Sequence, residues 1–311
     1  MTARERYYWD LVGHLVVPNV LTASEVAEAN EALDYLDDRL QNGTDEASDL
    51  LRKHAQPRWL DGKLVWADHT VPFLLMLPQP HCEPFRKMLA QPQIVRRLRA
   101  MCGEGFRLDG GPFFIGGTSG TEVHKLHGAG EPHKPYVAYA KQNGASFTGA
   151  VTVSYAFSDA GAREGGFACV PGSHKSRYPI PPGLRTMDDA MGCVENPSVK
   201  AGDAILFMNG AQTHGAVPWK GATARRSILF MYAARSAARH GASRLCIDPA
   251  TYWDKDTVSG MTAEQEAVMY GPSSSPQTDG PYLDLDEDGV VQVDRDFRPS
   301  LRTASDTFLQ G

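Results

Sequence analysis

Ten histidines stand in this 311-residue chain, so spacing has to sort them. Three of them, His124, His127 and His133, fall within the Gly/Pro-rich residues 121–135, and a fourth, His214, follows the polar run Asn209, Gln212, Thr213 much later. A non-haem iron site of the two-histidine, one-carboxylate kind needs His-x-Asp/Glu at a strand end, a distant second histidine, and open positions for co-substrate and oxygen. The only literal His-x-Asp/Glu is His81-Cys82-Glu83, which opens a predicted helix ahead of the strand-rich region and reads as a surface helix start. Eleven residues beyond His214 stands Arg225-Arg226-Ser227, at the head of an apolar strand. Arg225 and Ser227 share one strand face, where a guanidinium binds a carboxylate bidentately and a hydroxyl adds a bond. The pattern is a carboxylate clamp beside a candidate metal ligand.

Those residues need elements to position them. Thr22-Ala23-Ser24-Glu25 is a capping box, and apolar residues at Val26, Ala29, Ala32, Leu33 and Leu36 predict a helix over residues 23–40. Phe85, Met88, Leu89, Ile94, Val95 and Leu98 predict a second over 84–101. The middle changes period: residues 111–115, 150–157, 167–170, 204–208 and 227–233 are short, apolar and β-forming, separated by Gly, Pro, Asp and Asn. Five such strands without alternating helices predict a mainly β protein with helical additions, a jelly roll flanked by N-terminal helices. We expect one catalytic domain over 1–311, with helical support in 1–105, the jelly-roll core in 106–236 and a C-terminal extension in 237–311. The acidic run Asp284 to Asp288 lacks the ligand spacing and distal Glu of a calcium loop and reads as solvated surface.

Composition narrows the class. With 42% hydrophobic and 22% charged residues the chain buries a core, and a net charge of −6 gives no electrostatic reason to expect a nucleic-acid polymer. A small-molecule substrate is the expectation. Five cysteines, odd in number and without a Cys-x-x-Cys pair, suit a reducing compartment. No signal peptide or membrane-length apolar run is readable, so a cytoplasmic location is expected, with no membrane partner. Oligomeric state has no signature here.

The chain resembles the phytanoyl-CoA dioxygenase-like branch of the iron(II)- and 2-oxoglutarate-dependent oxygenases. The resemblance spans roughly residues 13–270 and rests on the order of several pieces: residues 13–21 with the helix after them, Gly165-Gly166-Phe167, Val170-Pro171-Gly172-Ser173-His174-Lys175, Ala201-Gly202-Asp203, and His214 with Arg225-x-Ser227. It implies a double-stranded β-helix, cupin-like, with iron(II), 2-oxoglutarate and O2 as cofactors. It implies His127 and His214 as iron ligands, Arg225 on the distal carboxylate of 2-oxoglutarate, and Ser227 supporting it.

One position departs from the family. Where family hydroxylases carry His-x-Asp/Glu, this chain reads His127-Gly128-Ala129, and neither His124 nor His133 restores the acid. An alanine there vacates volume and one negative charge, which chloride can replace. The signature looks like that of the iron/2-oxoglutarate halogenases, with Gly128 and Ala129 as the halide slot. The implied reaction removes a hydrogen atom from an unactivated carbon and delivers chlorine instead of hydroxyl. Other readings keep an oxygenase whose sphere is completed by Glu131, Glu122 or water, a three-histidine site of His124, His127 and His214, or a non-enzymatic jelly roll; retention of Arg225-x-Ser227 argues against a dead site. Substrate-contact candidates are His133, Lys134, Tyr139, His174 and Arg177, cationic and aromatic groups near the predicted mouth. Such a set suits an anionic, flat substrate. The chain is also similar to the nucleotide halogenases of chlorinated purine-nucleoside antibiotic pathways, which implies a (deoxy)adenosine nucleotide.

Overall fold

The computed structural model describes residues 1–67, 72–121, 125–128, 135–142, 145–238, 247–273 and 281–294. The chain begins with α1 (Ala3–Val12), β1 (His14–Val17), α2 (Ala23–Asn42), α3 (Glu46–Ala55), β2 (Arg58–Leu60), β3 (Lys63–Ala67), α4 (Glu83–Leu89) and α5 (Pro92–Cys102). Strands then dominate: β4 (Arg107–Gly117), β5 (Tyr139–Gln142), β6 (Ala145–Thr148), β7 (Ala150–Ala156), β8 (Gly166–Cys169), β9 (Ala204–Met208), β10 (His214–Val217) and β11 (Arg225–Ala233). Short helical turns and a hairpin of β12 (Tyr282–Leu285) and β13 (Val291–Asp294) follow.

The large sheet has the order β1-β9-β7-β11-β4-β3-β2. Its central strands β7, β9 and β11 alternate. Val151, Val153 and Tyr155 of β7, Ala204, Leu206 and Met208 of β9, and Ile228, Phe230 and Tyr232 of β11 pack on the helices. Apolar residues of α2, α4 and α5, including Leu33, Leu36, Phe85, Met88, Ile94 and Leu98, fill the other side of that layer. Each fully buried Leu or Phe there contributes ~1.5–3 kcal/mol. The residues in between, Ile205, Phe207, Leu229 and Met231, point the opposite way and pack with Phe167 and Cys169 of a second sheet. That sheet pairs β8 with β10, and isolated bridges add His127 beside His214 and Glu195 beside Cys169. Two antiparallel sheets facing across an apolar layer, with helices on the outer face of one, make the expected jelly roll.

The capping box of α2 forms, with Thr22 Oγ1 accepting from Glu25 N and Glu25 accepting from Thr22 N. The second predicted helix is two, because Gln91 caps a fresh start at Pro92, which cannot donate to the preceding turn. His81 stacks on Tyr35 with ring centroids 3.8 Å apart, as a structural residue at the start of α4. The N-terminal third differs from the helical expectation by supplying three strands to the large sheet. Two family-like motifs turn out to be one device: Val20 N and Leu21 N donate to Gly202 O, and Asp203 accepts from Asn19 N and Lys200 N at 2.9 and 2.8 Å. Among the described residues no helix is long and apolar enough to cross a membrane.

Candidate metal and co-substrate site

His127 and His214 meet edge to edge in the small sheet. Each donates its backbone N–H to the other's carbonyl at 2.9 Å, and the rings stand 4.4 Å apart between centroids. Both imidazoles are oriented in the same way, by the carbonyl two residues earlier: His127 Nδ1 lies 2.9 Å from Lys125 O and His214 Nδ1 lies 2.8 Å from Gln212 O. A carbonyl only accepts, so Nδ1 carries the proton and Nε2 keeps its lone pair, as a metal-ligating histidine requires. His127 is exposed and His214 is buried, with Phe207 4.7 Å from its ring. Desolvation, helped by the neighbouring His127, lowers the His214 pKa to about 3, so the ring stays neutral. Two adjacent imidazoles, each with Nδ1 engaged by a carbonyl, fit a divalent transition ion held through Nε2. Among the described residues no group of three His, Cys, Asp or Glu forms a metal site.

The surroundings explain residues that looked like motif fragments. Gly128 has φ +100°, and a Cβ there would lie 2.3 Å from Gln212 O, the oxygen that holds His214. Gly128 therefore meets a packing demand behind His214; Ala129, the other half of the expected halide slot, lies outside the described residues, as do Glu122, His124, Glu131, His133 and Lys134. Ser173 of the Pro171-Gly172-Ser173 turn accepts from Thr213 N at 2.8 Å, and Gln212 Nε2 donates to Val12 O at 2.7 Å. Both fix the approach to His214.

Arg225 sits at the far end of β10, whose Val217 opposes Gly166. Three residues at ~3.3 Å each place that end roughly 10 Å from His214. Arg225 is half-buried, its open surface facing a cavity of about 400 Å3, and desolvation lowers its pKa to about 10. The Gly165-Gly166 pair makes this possible. A Cβ at Gly165 would lie 2.0 Å from Pro218 O, and one at Gly166 would lie 2.8 Å from Arg225 Nε. Ser227 is buried and donates to Ile115 O at 2.8 Å, so in this structure its hydroxyl serves the β4–β11 junction. Arg226 points the other way, bonding Asn30 and Asp34 of α2 at 3.1 and 2.5 Å.

The expected substrate contacts separate. Tyr139 and His174 are held against α1: Tyr139 donates to the Asp10 carboxylate, His174 Nε2 lies 3.0 Å from Asp10 O, and Lys141 and Lys175 complete the cluster at 3.3 and 3.7 Å. These bonds, Tyr139 first, hold the Asp10 pKa below the usual carboxylate range. Arg177 is exposed on the surface. None of these residues lines the cavity at Arg225. Its walls instead include Arg58, Trp59 and Trp66 of the β2–β3 hairpin and Trp219, which sequence reasoning missed. A signal existed: Asp61-Gly62, both with positive φ, is a two-residue hairpin turn between strand-forming residues.

The sequence profile of the phytanoyl-CoA dioxygenase (PhyH) family matches residues 9–227. Among solved structures, the fold is similar to that of HygX from Streptomyces hygroscopicus with nickel and 2-oxoglutarate bound, at TM-score 0.57 and 19% identity over 75% of this chain and 87% of that one. It is also similar to AviO1 from Streptomyces viridochromogenes Tue57, at TM-score 0.54 and 18% identity over 76% and 96%. The carbocyclase SnoK from nogalamycin biosynthesis matches at TM-score 0.51 and 14% identity over 76% and 85%. No curated protein sequence gives a significant match.

Proposed function

Because the chain belongs to the phytanoyl-CoA dioxygenase family of iron(II)- and 2-oxoglutarate-dependent oxygenases, we propose that it is a halogenase of that class, chlorinating an unactivated carbon of a small molecule such as a (deoxy)adenosine nucleotide. The observation that carries the proposal is Ala129, two residues after His127, where the family's carboxylate ligand stands. When bound, iron(II) with 2-oxoglutarate and O2 supplies the oxidising power to remove a hydrogen atom, and chloride supplies the group delivered in its place.

The chain's own residues would work as follows. His127 and His214 hold the metal through Nε2, each locked in tautomer and orientation by its backbone partner. Arg225 takes the distal carboxylate of 2-oxoglutarate. An extended five-carbon dicarboxylate, bonded to metal at one end and guanidinium at the other, suits the length of β10 between them. The buried Phe207 and Phe167 exclude water beside His214. Charge counting favours an anion in the remaining position. Two imidazoles add no charge and Arg225 balances the far carboxylate, so the divalent ion and the near carboxylate leave one positive charge.

The test supplies anaerobically purified protein with iron(II), 2-oxoglutarate, O2 and chloride, then a panel of nucleotides and amino acids, with products read by the chlorine isotope pattern in mass spectrometry. Chlorinated product with matching succinate is expected. Hydroxylated product alone would overturn the halogenase reading and favour an oxygenase completed by Glu131, Glu122 or water. Ala129→Asp should abolish chlorination while preserving succinate formation, because the new carboxylate competes for the halide position.

A further inference from the structure

The cavity that opens onto Arg225 measures about 400 Å3, within the roughly 300–1,000 Å3 of small-molecule sites. On the reading above, 2-oxoglutarate takes the Arg225 end. The rest of the wall is chemically specific. Trp59, Trp66 and Trp219 line it, three of the five tryptophans in the chain, together with a second cation, Arg58. Among the described residues no Asp or Glu lines it.

The rings are held in place. Trp59 Nε1 donates to Asp37 of α2 at 2.9 Å, and Trp219 Nε1 donates to Thr223 O at 2.8 Å. Trp66 pairs by backbone with Ile115 and lies 5.7 Å from Phe113 between ring centroids. Gly117, where a Cβ would stand 3.2 Å from the Trp219 side chain, keeps the floor low. Arg58 is exposed and makes no ion pair among the described residues. Three indoles alone would also suit a cationic guest. With Arg225 balanced by 2-oxoglutarate, Arg58 is the cation left on the described wall, and with no carboxylate among the described lining residues the complementary charge is an anion.

We propose that this cavity is the substrate subsite and that the β2–β3 hairpin selects a flat, unsaturated ring system bearing an anionic group. The ring lies against the tryptophan faces, and the anion is met by Arg58. The inference rests on the assignment of Arg225 to 2-oxoglutarate and adds the class of substrate to that site.

Calorimetry tests it on the full chain loaded with nickel(II), where no turnover is needed. 2-Oxoglutarate is titrated first, then two matched pairs: adenosine 5′-monophosphate with adenosine, and indole-3-acetate with indole-3-acetamide. At least one anion should bind tenfold or more tightly than its neutral partner, about what a charge-assisted bond to Arg58 supplies. Arg58→Gln should erase that difference and leave 2-oxoglutarate affinity unchanged, while Trp66→Leu should weaken both members of the pair. Equal binding of anion and neutral partner, no binding by any of the four, or equal loss of 2-oxoglutarate affinity in Arg58→Gln would overturn the proposal. Failure of wild-type protein to bind 2-oxoglutarate would instead overturn the co-substrate assignment, so the two failures are told apart.

Discussion

Gly128→Ala tests whether the carbonyl behind His214 sets the proposed metal site. The added Cβ would stand 2.3 Å from Gln212 O and 3.4 Å from His214 Nδ1, on a backbone with φ +100°. The conformation alone costs an L residue ~1–3 kcal/mol. The close approach is to a backbone oxygen, so no rotamer change relieves it, and overpacking of that kind costs a further ~1–3 kcal/mol. Either the bridge between His127 and His214 parts or the Gln212 carbonyl swings away from the His214 Nδ1 that it holds at 2.8 Å. Losing such an outer partner lowers metal affinity ~10–100-fold. Anaerobic cobalt(II) titration followed by visible absorption reads the affinity, and urea unfolding of the metal-free protein reads stability in parallel. The expected result is metal binding at least about tenfold weaker and stability lower by at least ~2 kcal/mol. Gln212→Ala is the control: it keeps the carbonyl and loses the side-chain bonds to Val12 O and, at 3.5 Å, to Val170 O, at ~1–2 kcal/mol, with metal affinity largely spared. Wild-type affinity and midpoint in Gly128→Ala would refute the reasoning.

Two further outcomes follow from burial and partners. Arg225→Ala should weaken 2-oxoglutarate binding by calorimetry about tenfold or more, the worth of a charge-assisted bond, whereas Arg226→Ala should leave it unchanged. The latter loses contacts to Asn30 and the exposed Asp34, for ~1 kcal/mol or less of stability; the reverse pattern would move the clamp to Arg226. Desolvation lowers the pKa values of His14, His174 and His214, so between the folded and unfolded values the unfolded chain binds more protons. Stability of the metal-free protein is then fully present above about pH 6.5, the unfolded value, and falls as pH drops below it. The urea midpoint should decrease from pH 7.5 to 5.5, and an unchanged midpoint would count against neutral burial of these rings.

The parts of the fold that repeat a pattern were legible. The short apolar runs of β7, β9 and β11 mark strands, whose alternate residues the structure then divides between the helices and the jelly roll, and Thr22 with Glu25 marks the start of α2. The parity of Arg225 and Ser227 placed both on the inner face, while Arg226 went to α2. What escaped was short or long-range. β1 is four residues and β2 three, too few for a period to register, yet both join the large sheet. Tyr139 and His174 carry the right chemistry for a substrate, but Asp10, more than a hundred residues away, claims them. No local pattern reports such a partner. The Trp59 and Trp66 walls belong to the same category, since they reach the cavity only because β3 pairs with β4.

The eleven-residue interval from His214 to Arg225 has a physical meaning beyond its use as a signature. Its first four residues are β10, and pairing with β8 from His214 opposite Cys169 to Val217 opposite Gly166 fixes their register. An inserted residue inside β10 would turn every later side chain to the other face, taking either the ligand or the path toward the clamp out of line. The remaining seven residues form a turn built around Trp219, whose indole bonds Thr223 O and whose ring would collide with a Cβ at Gly221 at 2.4 Å. That turn both returns the chain to the large sheet at Arg225 and supplies one wall of the cavity. On the proposed roles, the distance between metal ligand and clamp is set by strand register and the cavity shape by the turn, so the site would vary its guest through Trp219 and the β2–β3 hairpin without moving either anchor of the co-substrate.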